Sequence, residues 1–385
     1  MFSEDVEPLE GYDSWDYYPT RIGTTLNNRY CIIHKLGHGG FSTVWLAHDT
    51  KEGRNVAMKI LIAEYGDCRS RELDVQGMIE ASVQKENRTK LLLSLATFSI
   101  VRPSGLWYRV LIFPLQGPTL YRCIEQKMEM KLRMSAAVQL LQAIATLHDA
   151  RIVHGDITDQ NVIRGVQAEL RIYTGAENAK LRRPKTEPLP NGAGERVKPA
   201  RFPSSLLSDE FYLGDLGVAF RPDGTIHRTQ TPSAYRAPEL IHGYGPHFAS
   251  DMWSYMCVFA KLYTGMTLFG YPRLFGGGGE TFNLACDLVG TLGPMPSQWK
   301  GTYTGGEGQD AWYDHGLGES GVGCRNLNQS LEALVSRSRP DVSLVERDIV
   351  ARVMEKCFRY LPEIRVSAKD LLHDPDFETL LSMYA

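Results

Sequence analysis

The spacing of apolar residues changes character once along this chain, at Pro114–Pro118, and that change constrains the fold more than any other feature. Ahead of it, Tyr30–Leu36, Ser42–Ala47 and Asn55–Ile62 read as strands, with turns at Gly37–Gly40 and Lys51–Gly53. Arg69–Ala81 reads as a helix, and Leu91–Val101 and Leu106–Phe113 as two further strands around Pro103-Ser104-Gly105. Beyond it the period becomes helical, over Leu120–Lys127 and Met134–His148, then Ser250–Gly265, Phe282–Leu292, Ser343–Tyr360 and a short segment near 367–373. A small hairpin and sheet are expected to flank 152–172. Strands first and helices afterwards is the signature of an α+β chain, and 385 residues suffice for two hydrophobic cores.

The resulting division is an N-terminal arm at 1–29, an N-terminal lobe at 30–113, a hinge at 114–118 and a C-terminal lobe at 119–385. The arm is polar and aromatic, with Trp15, Tyr17 and Tyr18, and is expected to lie along the first lobe. Residues 175–210 are rich in Pro, Gly and basic side chains and read as a flexible insertion. Gly276–Gly279 and Gly305–Gly323 read as glycine-rich loops, and no internal repeat is evident. With 42 basic and 45 acidic residues the net charge is -3, which argues against nucleic acid or a membrane surface as a partner. No apolar run reaches the roughly 18 residues of a membrane span, and the acidic start Met1–Asp5 is not a secretory signal. Seven scattered cysteines without CxxC pairs read as reduced thiols, which points to the cytoplasm or nucleus.

His154-Gly155-Asp156-Ile157-Thr158-Asp159-Gln160-Asn161 sets a carboxylate and a carboxamide five residues apart on an expected loop. Phosphoryl transfer needs that pair: Asp156 to accept the proton of the attacking hydroxyl, Asn161 to hold a metal on nucleotide phosphates. Asp215, in Leu213-Gly214-Asp215-Leu216-Gly217, is a second hard oxygen ligand suited to magnesium, with Gly217 allowing a sharp turn. Gly37-His38-Gly39-Gly40-Phe41-Ser42-Thr43-Val44 lies between strands, where glycine amides can approach phosphate oxygens; alone it is a weak signal, since a plain hairpin turn has the same composition. Lys59 follows the apolar run Val56-Ala57-Met58, and Glu72 on the next helix is its natural partner. In the hinge, the Pro114 carbonyl and the Gln116 amide are placed to take an adenine. Arg365 is expected to pair with Glu239, while Asp251 serves either the helix dipole or the backbone amides of the catalytic loop.

Taken in order, Gly37–Val44, Lys59, Glu72, His154–Asn161, Asp215–Gly217, Ala237-Pro238-Glu239, Asp251 and Arg365 resemble the eukaryotic protein kinase domain over about residues 30–378. Tyr18–Gly23 before Arg29-Tyr30, Lys35-Leu36-Gly37, Phe41–Ala47, Leu216 within the Asp215 triplet, the insertion and Leu284–Trp299 are similar to the SR-protein kinases and their fungal-type relatives. The resemblance implies a bilobal kinase-like fold, with an N-lobe of antiparallel sheet plus one helix and a larger, mainly helical C-lobe. It implies ATP and Mg2+ as cofactors, and a Ser/Thr acceptor in protein substrates, with Arg/Ser-rich ones as the family's target. It implies a monomer. Catalysis would fall to Asp156, Lys59 and Glu72, metal binding to Asn161 and Asp215, and nucleotide contacts to Leu36, Gly37, His38, Gly39, Gly40, Phe41, Ser42, Thr43, Val44, Ala57, Lys59, Pro114 and Gln116.

The chain departs from the family pattern in several places. Thr158 stands where such kinases carry a lysine that meets the transferred phosphate, and a missing cation there slows the reaction. Gly155 replaces the arginine that grips a phosphorylated activation loop, so activation by loop phosphorylation is not expected. Few acids flank Gly276–Glu280, where relatives hold arginines, and Gln76 is polar where the helix usually packs an apolar residue. Thr231 lies near the position of a Ser/Thr-kinase threonine, one residue further from Tyr235 than usual. Two alternatives stay open: a catalytically impaired pseudokinase that binds a nucleotide or partner, and a small-molecule phosphotransferase, whose catalytic string His154-Gly155-Asp156 matches equally well.

Overall fold

The structure, a computed structural model, describes residues 6–13, 16–65, 71–102, 105–172, 181, 184–190, 192–222, 231–270, 279–306, 310–314 and 330–385. The chain divides into two units with separate interiors, the first from Met1–Met78, Leu91–Leu120 and Ile163–Gly217, the second from Ile79–Lys90, Tyr121–Val162 and Val218–Ala385.

The first unit is built on an antiparallel sheet. Its strands are β1 (Thr25–Leu26), β2 (Tyr30–Gly39), β3 (Ser42–Asp49), β4 (Arg54–Leu61), β5 (Glu64–Tyr65), β6 (Ala96–Val101) and β7 (Leu106–Pro114). They run in the order β1-β2-β3-β4-β7, and β5 and β6 both pair with β7. Side chains alternate between the faces of a strand. Tyr30, Ile32, Trp45, Val56, Met58, Ile60, Tyr108 and Val110 therefore share one face, where Tyr18, Ile22 and Val197 close the core. Ala57, Leu111 and Phe113 lie on the other, against Leu73 of the helix α1 (Arg71–Ser82) and Leu92, Ile163 and Tyr212. Lys59, two residues from Ala57, belongs to this second face.

The arm buries Val6, Glu7, Tyr12 and Tyr17. The insertion departs from expectation. Of the segment read as a flexible insertion, the described residues form a hairpin of β8 (Thr186–Pro188) and β9 (Glu195–Val197). They also place Leu181, Leu189, Val197 and Leu206 in the interior of the first unit. Pro and Gly mark turns of this hairpin rather than loss of structure: the Leu189 amide bonds to the Gly194 carbonyl at 3.0 Å, and Gly192 has φ +68°, a glycine conformation. Four cysteines, Cys31, Cys123, Cys257 and Cys357, are free thiols, but Cys286 is disulfide-bonded, against the expectation that all seven are reduced. Scattered spacing in sequence carries no information about which thiols meet in space.

The second unit is helical. Met130–Asp149 and Phe248–Thr264 bury most of their apolar side chains, and Trp253 of the latter meets Phe269 and Phe358, with centroids 5.6 and 5.0 Å away. Leu331–Ser338 and Pro375–Ser382 are helices not foreseen from periodicity, each opened by a side-chain cap, Ser330 and Asp374. Near the end, Arg352 and Lys356 surround Asp376 and hold its carboxyl down to about 2. Glycine-rich residues 276–278, 307–309 and 315–323 lie outside the described residues, although Ala311–Asp314 between them is helical. Among the described residues no helix is long and apolar enough to cross a membrane.

Candidate active site

Lys59 on β4 is the centre of the first unit's polar cluster. Its Nζ lies 2.9 Å from the Glu72 carboxylate and 2.9 Å from that of Asp215. Burial disfavours the ammonium, but the charges of Glu72 and Asp215 outweigh it, so its pKa is raised and the cation is secure. Burial pushes Glu72 up, and Lys59 only partly offsets this. The helix carrying Glu72 is pinned by Gln76, the residue for which the sequence offered no role. Its Nε2 donates to the Ser94 carbonyl at 2.9 Å, and its Oε1 accepts from the Ser94 amide and hydroxyl at 2.8 and 2.7 Å. Asp215 has φ +59°, a conformation that Asp tolerates better than most residues. The sharp turn is thus made at Asp215, not at Gly217 as expected, since Gly217 sits in a 3-10 turn, Leu216–Val218.

The register of β3 against β4 sets Val44 opposite Lys59, Leu46 opposite Ala57 and Ser42 opposite Leu61. Val44 and Ala57 therefore share the Lys59 face, and Leu36 packs against Leu46 and Leu115. Thr43 does not join them. It pairs with Ile60, and its hydroxyl accepts from the Trp45 indole at 3.0 Å, which turns its side chain to the other face. Phe41 at the tip is 63% exposed. Pro114 ends β7 opposite Val56, and the buried Gln116 accepts from Arg171 at 3.5 Å.

In the second unit the loop His154–Asn161 is held from below. Asp251, buried in the first turn of Phe248–Thr264, accepts the amides of His154 and Gly155 at 2.8 and 2.9 Å and meets His148 at 3.0 Å. Of the two roles considered for it, the backbone-accepting one is present. Asn161 Nδ2 donates to both the carbonyl and the carboxylate of Asp156, each at 2.8 Å, which leaves the Asn161 Oδ1 end of the amide facing elsewhere. Arg365 pairs with Glu239 at 2.8 and 2.6 Å, with its guanidinium 5.1 Å from the Trp253 ring. Burial would raise the Glu239 carboxyl, and Arg365 outweighs it and brings it below its ordinary value. One cluster was missed. Asp159 accepts from Tyr235 at 2.7 Å and pairs with Lys261 at 2.6 Å, and Lys261 lies 4.8 Å from the Tyr121 ring. The available signal was Lys261, the one charged residue in the run Met252–Leu262.

The protein kinase domain family matches residues 30–174. A serine/threonine protein kinase of Aspergillus fumigatus is 27% identical over 96% of this chain and 90% of its own length. The serine/threonine-protein kinase AFC3 of Arabidopsis thaliana is 24% identical over 97% of this chain and 88% of its own. The serine/threonine-protein kinase SRPK of Physarum polycephalum is 26% identical over 97% and 92%.

Over residues 30–174 the chain is similar to the protein kinase domain. Its antiparallel N-terminal sheet and helical C-terminal region are those of the kinase fold. The departures from the family pattern have local causes. Gly155 has φ +78°, so an arginine there would be strained; the position is shaped for glycine, and its carbonyl accepts the Thr231 hydroxyl at 2.9 Å. Thr158 is buried, and its carbonyl accepts the Asn161 amide at 3.2 Å, so its place in the kinase loop is to close the turn. Residues 223–230 and 271–278, which include part of the activation segment and the acid-poor stretch, lie outside the described residues.

Proposed function

We propose that this kinase transfers the γ-phosphate of ATP to serine or threonine hydroxyls of proteins. Arg/Ser-rich sequences are the first substrate class to test, given the kinase of Physarum polycephalum named SRPK among its relatives. The observation that carries the reading is the Lys59 ammonium, 2.9 Å from each of two carboxylates and on the same sheet face as Val44 and Ala57. A cation fixed in that way is ready for phosphate oxygens, and Val44, Ala57 and Leu36 offer an apolar surface for an adenine ring. The glycine turn supplies amides that no side chain screens. Pro114 and Gln116 would meet the adenine edge through their backbone.

Asp156 would accept the proton of the acceptor hydroxyl, oriented by the Asn161 amide that bonds its carboxylate. Asp215 has a carboxylate about half exposed, a hard oxygen donor that would suit magnesium. Bound there, the ion would neutralise phosphate charge. The partner is a protein substrate, and the kinase acts as a monomer in the cytoplasm or nucleus.

The test is radiolabelled ATP with purified protein against an Arg/Ser repeat peptide, a generic basic protein and a peptide library. Asp156→Ala is expected to abolish transfer, by at least about 10²-fold, while leaving ATP affinity within about twofold. Near-normal turnover in that variant would remove Asp156 from the reaction. ATP binding without transfer to any acceptor would leave the pseudokinase reading, which Thr158 favours.

A further inference from the structure

The N-terminal arm reaches the glycine turn. Tyr17 is buried, and its hydroxyl donates to the Gly39 carbonyl at 3.0 Å. The neighbouring residue fastens the arm at the same place, since the Asp16 carbonyl accepts the Ala63 amide at 2.9 Å, just past the end of β4. The Tyr17 ring is seated against Gly11, where an added Cβ would come within 2.4 Å of it, and beside Tyr12, with centroids 5.6 Å apart. Leu189 and Ile62 complete this small cluster. Burial, followed by the charges of Glu7 and Asp16, raises the Tyr17 phenol above its ordinary value, so it stays a donor.

The side from which Tyr17 comes matters. Tyr18, the next residue, packs with Met58 and Ile60, on the sheet face opposite Lys59. In a trans peptide the C=O and the following N–H point in opposite directions. A Gly39 carbonyl drawn toward the arm therefore turns the Gly40 N–H toward the Lys59 face. Gly39 pairs with Ser42 across the turn, and with no Cβ at Gly39 or Gly40 side-chain sterics leave the plane of the peptide between them loosely fixed.

We propose that Tyr17 is a positioning residue for the nucleotide phosphates, acting through the Gly39–Gly40 peptide. The inference rests on the nucleotide reading of the Lys59 site and adds to it a requirement for the arm. Without the phenol, the peptide samples both orientations, and the turn presents its amide to phosphate only part of the time.

Calorimetric titration of the full chain with Mg-ATP and, separately, with adenosine tests this. Tyr17→Phe keeps the ring in its seat and removes the donor. The expected result is an ATP Kd weaker by about three- to tenfold, an adenosine Kd changed by less than about twofold, and an unfolding midpoint within about 2 °C of the parent. Adenosine has no phosphates, so a general loosening of the site would weaken both ligands alike. Equal losses for ATP and adenosine, or unchanged ATP affinity, would overturn the proposal. A parent protein that binds neither ligand would overturn the nucleotide reading itself and the inference with it, an outcome distinct from the other two.

Discussion

Single residues decide how much of the proposed chemistry this chain can carry out. Lys59, Glu72 and Asp215 were legible because each stands at a fixed place in an ordered series, and the structure brings the three within hydrogen-bonding distance. Gln76 was not legible, because its partner, Ser94, is a neighbour only after folding. Thr43 was misread for a related reason: sequence adjacency to the glycine turn does not say which face a side chain takes, and register does. Thr158 remains the residue with the clearest consequence. A cation on the transferred phosphoryl group is an electrostatic contribution made where charge develops, and one such donor is worth roughly 10²-fold in kcat. Thr158→Lys is expected to raise kcat by about tenfold or more without lowering the ATP KM, because the new ammonium acts on the transferring group and not on the bound adenine. Steady-state kinetics on the preferred peptide checks this. A lower kcat would show that the buried position cannot extend a lysine into the reaction.

At the scale of elements, strands and helices of strong period were read with ends shifted by a few residues, as for the helix expected over Met134–His148 and found over Met130–Asp149. Helix ends are set by caps and tertiary contacts, which periodicity does not report. The short helix Pro375–Ser382 escaped notice because its start is marked by Asp374 rather than by a long apolar repeat. The insertion was misread because Pro and Gly are equally at home in a tight hairpin and in a linker. The helix that carries Glu72 is clamped by the Gln76 carboxamide on Ser94. Each such bond contributes on the order of 1 kcal/mol, and a part-buried amide left without its partner costs more. Gln76→Ala is therefore expected to destabilise the first unit by about 2 kcal/mol and to lower kcat more than ATP affinity, since Glu72 loses its seat while the glycine turn does not. Denaturant unfolding and ATP titration of the same preparation separate the two effects. Unchanged stability would mean that the clamp is dispensable.

Over the whole chain, the arm and the insertion, some 170 residues apart, are braided onto one sheet: the Glu195 amide bonds to the Thr20 carbonyl at 2.9 Å, and the Ile22 amide to the Glu195 carboxylate at 2.8 Å, a separation of 173 residues. No local signal predicts such a contact. At its centre Glu7 of the arm and Lys35 of β2 form an ion pair with both side chains fully buried. Tyr12 donates to Glu7, and the Lys35 ammonium lies 5.0 Å from the Trp45 ring. Burial lowers the Lys35 pKa in spite of Glu7, so the pair is held at a desolvation cost its own attraction does not fully repay. Such a pair fixes where the arm docks more than it stabilises the unit. Removing one member leaves a buried charge alone, at a cost of about 3–5 kcal/mol, whereas replacing both by apolar groups of similar size is neutral or favourable. Glu7→Gln and Lys35→Met are each expected to destabilise the first unit by about 3 kcal/mol or more, and Glu7→Leu combined with Lys35→Met to recover most of that loss. Hydrogen exchange localises the effect: protection should fall over Tyr30–Gly39 and Glu195–Val197 in each single variant, with the helix Phe248–Thr264 unchanged. Additive losses in the double variant would mean that Glu7 and Lys35 act independently, and the docking of the arm would then rest on its other contacts, among them the Asp16–Ala63 and Thr20–Glu195 backbone bonds.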